Sequence, residues 1–335
     1  MTAQEIARKA GVSRGTVDRA LHGRDGVNPE TAERIRRIAA EAGYTPSRAG
    51  RALVIREPVP IGVIMSSRGN PFFDDVRQGM LDAREDYLDF PVQMNFRALR
   101  GYREEEQLSA LKAFLESNVR GVALTPVNSP AVARMIGEFA KKGVPVVTVN
   151  TDVEKSARCL YVGCDDDAAG RTAGKLMGLM TGGRGHALVV VGSRAVLGHM
   201  KRLRGFEEST AKEYPCLTVT TVENNDDDGE SYRAVKDALA SRPDIDCVYF
   251  AAAGAVGGVK ACRGRVAPDR ILLSDDIEAH RQLILSGSAA AAICQQPRQQ
   301  GYQAMKALLK NVLIGQKPDG DTLFTRSEIK LRYNL

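Results

Sequence analysis

Features that would define a membrane or secreted protein are missing from this sequence. No apolar run reaches the ~18 to 20 residues that a membrane-spanning helix needs. The longest run, Val248 to Val259, has 12 residues. The N-terminal residues carry charges where a secretory signal peptide has an uninterrupted apolar stretch. We therefore expect a cytoplasmic protein.

Residues and motifs that indicate metal centres or catalysis are also sparse. The six cysteines include no CxxC pair, and the four histidines show no ligand spacing. Tryptophan is absent, aromatic residues reach only 5%, and no HExxH, P-loop or post-strand GxGxxG motif occurs. We expect reduced cysteines, no metal, no cofactor and no enzymatic activity.

Positive charge is concentrated in the first sixty residues. They hold eleven lysines and arginines against seven acids, a net +4, while the other 275 residues hold 36 against 34, a net +2. A modest basic excess can be ordinary solvated surface, but a basic unit on a nearly neutral body also suggests contact with a polyanion.

At ~150 residues per domain, the length of 335 residues predicts two to three domains.

Three short helices are predicted at the N-terminus. Thr2-Ala3-Gln4-Glu5 has the form of a capping box, and Gly11 ends the first helix. Ser13 caps a second helix to about residue 21, and Asn28-Pro29-Glu30 opens a third to about residue 43. Two helices joined by a tight turn and supported by a third form a helix-turn-helix.

The run from Ala7 to Gly23, which reads AxxAGVSxxTVxRxLxG, resembles the headpiece of the lactose/galactose-repressor (LacI/GalR) family. Ala42-Gly43-Tyr44-Thr45-Pro46 and Arg48-Ala49-Gly50-Arg51-Ala52-Leu53 are similar to the linker and hinge helix of that family. The resemblance implies a DNA-binding headpiece over residues 1–46 and a hinge helix and linker over residues 47–60.

This resemblance also implies which residues contact DNA. Arg14 and Arg19 would reach base edges, where guanidinium groups pair with guanine. Leu53 would enter the minor groove as an apolar wedge. The family usually has Ser where this chain has Asp18, and a larger side chain than Gly15, so the role of Asp18 stays open. The predicted DNA-binding residues are Ser13, Arg14, Gly15, Thr16, Asp18, Arg19, His22, Arg51 and Leu53.

Residues 61–335 alternate short apolar runs with amphipathic stretches. The first run is Ile61-Gly62-Val63-Ile64-Met65, and the first amphipathic stretch covers about residues 73–87. Such alternation predicts parallel strands covered by helices on both faces. We predict an α/β body of two subdomains, one of about residues 61–163 and 296–325, the other of about residues 164–295 and 326–335.

Polar residues that follow the predicted strands are the ligand-binding candidates, because ligands in open α/β sheets bind beyond the carboxyl ends of strands. Gly69-Asn70-Pro71-Phe72-Phe73, Arg202-Leu203-Arg204-Gly205-Phe206, Asp275 and Ile293-Cys294-Gln295-Gln296-Pro297 are similar to the ribose-binding branch of the periplasmic binding protein fold. Amides and carboxylates bind hydroxyls, and aromatic rings cover sugar C–H faces. The predicted ligand-binding residues are Asn70, Phe72, Phe73, Asn150, Asp152, Arg202, Asp226, Asp275 and Gln295.

Three positions depart from the ribose binders. Asn150-Thr151 stands where they have Asp-Arg, Asp226 where an aromatic residue is expected, and Ala252 where an asparagine is expected. These departures favour another sugar or a cyclic polyol over ribose.

Together these features predict a ligand-responsive transcription regulator, with repression favoured, that binds a near-palindromic operator as a homodimer and senses a small sugar or polyol. Two alternatives stay open. The acidic runs Asp165-Asp166-Asp167, Asp226-Asp227-Asp228 and Asp275-Asp276 could serve a magnesium-dependent hydrolase. The body could also be a cytoplasmic sugar-binding protein. Effector identity, induction against co-repression, the operator, and dimer against tetramer are left undetermined.

Overall fold

The computed structural model describes residues 2–21, 25–42, 51–52, 55–66 and 68–335. The chain divides into two compact units, Met1–Glu57 and Pro58–Leu335. Among the helices of these described ranges, none has the length and apolar character needed to cross a membrane. The predicted DNA contacts His22 and Leu53 lie outside the described residues.

The N-terminal unit contains the three predicted helices, α1 (Ala3–Ala10), α2 (Arg14–Leu21) and α3 (Pro29–Glu41). The capping box of α1 is confirmed: the Glu5 backbone N–H donates to Thr2 Oγ1 at 3.3 Å, and the Thr2 N–H donates to Glu5 Oε2 at 2.7 Å. Gly11 ends this helix at φ 65°, in the left-handed region.

A small apolar core holds these helices together. Each contributes one large, fully buried residue: Ile6, Val17 and Ile35. Alanines complete the cluster, so the helices approach closely. Packing on this side of α2 leaves its other side exposed to solvent.

The first subdomain of the body is built on a sheet of six parallel strands. Its strands are β1 (Val59–Met65), β2 (Val92–Ala98), β3 (Gly121–Leu124), β4 (Val146–Val149), β5 (Leu160–Cys164) and β11 (Thr322–Thr325), and its helices are α4 (Phe72–Glu85), α5 (Glu104–Glu116), α6 (Pro130–Lys141) and α12 (Pro297–Leu309). The strand order is β11-β5-β4-β3-β1-β2. Phe114 of α5 and Ile136 of α6 pack in one cluster with Ile64 of β1, while α12 packs against α4, β3, β4 and β5.

The second subdomain repeats the architecture with the order β12-β10-β9-β8-β6-β7. Its strands are β6 (Arg184–Val191), β7 (Cys216–Glu223), β8 (Cys247–Phe250), β9 (Ile271–Ser274), β10 (Ala291–Cys294) and β12 (Glu328–Lys330), and its helices are α7 (Asp166–Thr181), α8 (Leu197–Glu213), α9 (Asp228–Ser241), α10 (Ala255–Cys262) and α11 (Glu278–Leu285). A short 3-10 helix, Pro268–Arg270, precedes β9, and a π-helical turn, Lys310–Ile314, follows α12. Separate apolar clusters lie on the two faces of this sheet, with Phe206 in one and Phe250 in the other.

Three short segments carry the chain between the subdomains, after β5, after β10 and after β11. Each leaves a strand at its carboxyl end, so these ends of the two sheets meet at one cleft. The predicted two-subdomain α/β fold is confirmed, with one exception to the parallel arrangement: β12 runs antiparallel to β10. Because the chain leaves β11 at the cleft and enters the second sheet there, β12 must run in the opposite direction.

Candidate functional site

A small cavity lies between the two subdomains at the carboxyl ends of their strands. The first subdomain contributes Asn70, Phe72, Phe73, Tyr102 and Asn150, and the second contributes His199, Arg202, Asp226, Ala252, Ala253, Ser274, Asp275, Ile277, His280 and Gln295. Eight of the nine predicted ligand-binding residues are therefore brought together.

Three of these residues have backbone conformations that are uncommon for non-glycine residues. Asn150, Asp226 and Asp275 have φ of 67°, 57° and 64°. Asparagine and aspartate tolerate the left-handed region better than other residues, although it is still unfavourable. These conformations turn the chain sharply at the strand ends, where the cavity is formed.

The carboxylate of Asp275 is buried in the cavity wall. Its Oδ2 accepts a hydrogen bond from Gln295 Nε2 at 2.9 Å. Its Oδ1 accepts none within the described part of the chain. Burial raises the pKa of Asp275 to about 6, because a low-polarity environment disfavours the charged form.

Asp226 connects the two subdomains. Its Oδ2 accepts hydrogen bonds from the Tyr102 hydroxyl and, at 3.5 Å, from Asn70 Nδ2. Its Oδ1 is buried and has no hydrogen-bond donor among the described residues. Asp226 packs directly on Gly192, where an added Cβ would lie 2.3 Å from Oδ1. Glycine is therefore required at that position for the observed placement of this carboxylate.

Arg202 forms a buried ion pair at the other side of the cavity. Its Nε donates to Asp166 Oδ1 at 2.8 Å, and its Nη1 donates to the Ala251 carbonyl at 2.8 Å. The side chains of Arg202 and Asp166 are only 6% and 2% exposed. A close contact between α7 and α8 holds this pair, since a Cβ on Gly170 would lie 2.1 Å from the Arg202 carbonyl oxygen.

Two histidines, His199 and His280, also line the cavity. From the sequence they had been assessed only as possible metal ligands. His199 Nδ1 accepts from the Ser193 N–H at 3.1 Å, which places the proton of the neutral ring on Nε2. His280 Nδ1 donates to the Ser274 carbonyl at 2.9 Å, which leaves Nε2 as an acceptor. Burial lowers the pKa of both rings, so both are neutral at pH 7.

The aromatic part of the wall contains one residue that the sequence did not indicate. Phe72 and Phe73 are buried with ring centroids 5.3 Å apart and planes at 88°. Because these rings are perpendicular, they cannot both present a face in the same direction. Tyr102 adds a hydroxyl, and the contact with Asp226 raises its pKa further beyond the rise caused by burial.

Asp152 is the one predicted ligand-binding residue that does not line the cavity. Arg158 donates to both of its oxygens, from Nε to Oδ1 at 2.7 Å and from Nη2 to Oδ2 at 2.7 Å. Thr148 Oγ1 also donates to Oδ1 at 2.8 Å. These bonds hold the carboxylate in a local ion pair with Arg158, away from the cavity lining.

The acidic runs are used mainly in helix caps and ion pairs. Asp165 caps α7 by accepting from the Ala168 N–H at 2.9 Å, and Asp227 caps α9 by accepting from the Glu230 N–H at 3.0 Å. Asp167 forms an ion pair with an exposed arginine. Over the described ranges, no cluster of three His, Cys, Asp or Glu residues is arranged to hold a metal ion.

In the N-terminal unit, α2 presents the other candidate surface. Arg14, Gly15 and Arg19 are exposed, and Thr16 and Asp18 are partly buried. Ser13 begins the helix, since its Oγ accepts from the Thr16 N–H at 3.1 Å. Arg51, from the predicted hinge helix, is partly buried.

Two exposed arginines on one short helix, joined to a body with a cavity between two α/β subdomains, are features of ligand-responsive DNA-binding regulators. Residues 2–47 match the bacterial regulatory proteins of the lacI family, and residues 61–317 match the periplasmic binding protein domain. The chain belongs to the LacI family of transcription regulators.

Several known proteins are similar over most of the chain. The HTH-type transcriptional regulator CelR of Thermobifida fusca is 29% identical over 81% of this chain and 80% of its own length. The regulator GntR of Pseudomonas aeruginosa is 30% identical over 74% of this chain and 70% of its own length. The fold is similar to that of GanP, a glucose-galactose binding protein from Geobacillus stearothermophilus, with a TM-score of 0.76, 23% identity, and coverage of 84% of this chain and 99% of GanP.

Proposed function

We propose that this protein is a homodimeric repressor that acts in the cytoplasm on a near-palindromic operator, and that a small sugar or polyol binds in the cavity of its body. The observation that carries the effector class is the pair of buried carboxylate oxygens, Asp226 Oδ1 and Asp275 Oδ1, for which the described residues provide no donor. Hydroxyl groups of a bound ligand would supply those donors, and the adjacent phenylalanines would cover an apolar ring face.

Hydrogen bonds across the cleft support coupling between ligand and DNA. Asn150 Nδ2 donates to Gln295 Oε1 at 3.2 Å, and the Gly198 N–H donates to Thr151 Oγ1 at 3.1 Å. A ligand that binds between the subdomains favours the arrangement in which these bonds form. If that arrangement also changes operator affinity, ligand and operator must alter the affinity of each other by the same factor.

For DNA binding we propose that Arg14 and Arg19 contact base edges and that the polar groups at the start of α2 contact phosphates. The exposure of both arginines on one helix supports this assignment. We favour ligand binding over the magnesium-dependent hydrolase because two carboxylates of the acidic runs already have other roles. Asp165 caps a helix, and Asp167 forms an ion pair.

The test is operator binding measured with and without candidate effectors. The purified protein is titrated with fragments of its own promoter region at two salt concentrations, and then again with sugars and polyols present. Each neutralised phosphate contributes about 0.9 to the log–log salt slope, so a steep slope with one preferred fragment is expected. Absence of fragment preference at low salt, with every compound tested, would contradict the proposal.

A further inference from the structure

The charges around the cavity do not balance. Within the described part of the chain, Arg202 is the cation of the wall, and Asp166 neutralises it through a 2.8 Å ion pair. Asp226 and Asp275 add two further carboxylates to the wall. The cavity is therefore lined by more negative than positive charge.

The remaining polar groups of the wall do not supply the missing positive charge. Tyr102 and Asn70 offer neutral donors to Asp226. His199 and His280 are neutral, because burial lowers the pKa of each ring. Asp226 accordingly has neutral hydrogen-bond partners but no ion-pair partner among the described residues.

A neutral ligand would leave this imbalance in place. Burial of an ionised carboxylate is unfavourable unless the carboxylate is both hydrogen-bonded and paired with a cation. Protonation relieves Asp275 only in part, since its pKa of about 6 leaves it largely ionised at pH 7. Sugar hydroxyls would supply donors to the carboxylate oxygens without supplying charge.

We propose that the effector carries a protonated amine, as an amino sugar or an aminated cyclic polyol of one ring, and that its ammonium group lies beside Asp226. This inference rests on the proposed sugar or polyol effector and narrows its class. An ammonium group brings three N–H donors together with the missing charge. Phe72 and Phe73 lie in the same wall, where an aromatic face attracts a cation.

Matched ligands separate the effect of charge from that of shape. Full-length protein is titrated by calorimetry with D-glucosamine, D-galactosamine, D-mannosamine and scyllo-inosamine. Each is compared with its hydroxyl parent, and the three amino sugars also with their neutral N-acetyl forms. At least one amine is expected to bind about tenfold or more tightly than its neutral counterparts, because charge-assisted hydrogen bonds exceed neutral ones.

A charge-removing variant tests the position of the ammonium group. Asp226→Asn keeps an oxygen acceptor for Tyr102 but removes the charge. The amine should therefore bind this variant with a dissociation constant within about threefold of that of its hydroxyl parent. Asp237→Asn makes the same charge change at an exposed site on α9 and should keep the full advantage. If Asp226→Asn fails to fold, as its unliganded melting curve would show, the matched ligands on the unaltered protein decide the result.

The outcomes distinguish this inference from the proposed function. Equal or tighter binding of the neutral parents would overturn the inference that the effector is an amine and would still support a sugar or polyol effector. Failure of all the compounds to bind would also overturn that inference. The operator titration tests separately whether the protein is a DNA-binding regulator. An amine advantage that Asp226→Asn leaves intact overturns the placement beside Asp226.

Discussion

The two units place their candidate functional residues in opposite settings. In the N-terminal unit, the two arginines proposed to read DNA are on one exposed helix of eight residues, Arg14–Leu21. In the body, the cavity gathers residues that lie as far apart in the chain as Asn70 and Gln295, and most of its polar side chains are buried or partly buried. One site is local and exposed, and the other is dispersed and enclosed.

This difference has an energetic consequence. Exposed arginines stay hydrated, so they have little effect on the free energy of folding. The body instead keeps a buried ion pair at Arg202, carboxylate oxygens at Asp226 and Asp275 that lack donors among the described residues, and strained backbone at Asn150. Such features are unfavourable for folding and persist where a bound ligand compensates for them. Substitutions of these cavity residues should therefore alter stability and ligand binding together, whereas those of the exposed arginines on α2 should alter DNA binding alone.

Arg202→Leu should produce the largest effect. Removal of one partner leaves Asp166 as an uncompensated buried charge, so the free energy of unfolding should fall by about 3–5 kcal/mol, and effector binding should be lost. Urea unfolding and ligand titration would measure the two effects.

Arg204→Leu is the matched control for that variant. Arg204 also pairs with an aspartate, Asp167, but its side chain is 58% exposed. Loss of an exposed pair should change stability by less than about 1 kcal/mol. If the two variants lost equal free energy of unfolding, burial of the Arg202 pair would not account for its contribution to stability.

The contrast between the units also explains what the sequence could predict. The headpiece was predicted from adjacent residues, because caps and apolar spacing are local signals, and the capping box at Thr2 and Glu5 is confirmed. Buried strands such as β1 were predicted from continuous apolar runs. The edge strands β2 and β7 were not, because each has a largely solvent-facing side and carries polar residues among the apolar ones.

The predicted site residues differ from the cavity lining for similar reasons. Tyr102 follows β2, so failure to predict that strand hid the residue. Asp152 was included because polar residues after each predicted strand were all treated as candidates, and no local pattern indicates that Arg158 binds its carboxylate. The contacts of Asp226 with Tyr102 and Asn70 join residues 124 and 156 positions apart, which only the folded chain brings together.

Asp275→Asn should have a smaller effect than Arg202→Leu, and one that depends on pH. The folded-state pKa of Asp275 is about 6, against about 3.9 for an unfolded aspartate. A raised pKa means that the folded protein holds this proton more tightly, so the contribution of Asp275 to stability is fully present below pH 4 and is lost as pH rises through 6.

Asparagine does not titrate, so the variant should gain stability relative to the unaltered protein between pH 4.5 and 7.5, by up to about 3 kcal/mol. Urea unfolding at several pH values in that interval measures the gain. Asp237→Asn, on the exposed side of α9, removes the same charge from the surface and provides the control. If the free energy of unfolding of Asp275→Asn differed from that of the unaltered protein by the same amount at every pH, ionisation of the buried carboxyl would not destabilise the folded protein.

Arg14→Ala and Arg19→Ala should have the smallest effect on folding and a selective effect on DNA. Both side chains are exposed, so the free energy of unfolding should stay within about 0.5 kcal/mol of the original value. Loss of a guanidinium–guanine contact should reduce the discrimination between operator and altered fragments by about 1–3 kcal/mol. Arg37→Ala removes another exposed charge, from α3, and should lower affinity for all fragments by a similar factor. If all three variants lost only this uniform component, α2 would contribute charge to DNA binding without reading sequence, and specificity would have to arise elsewhere in the N-terminal unit.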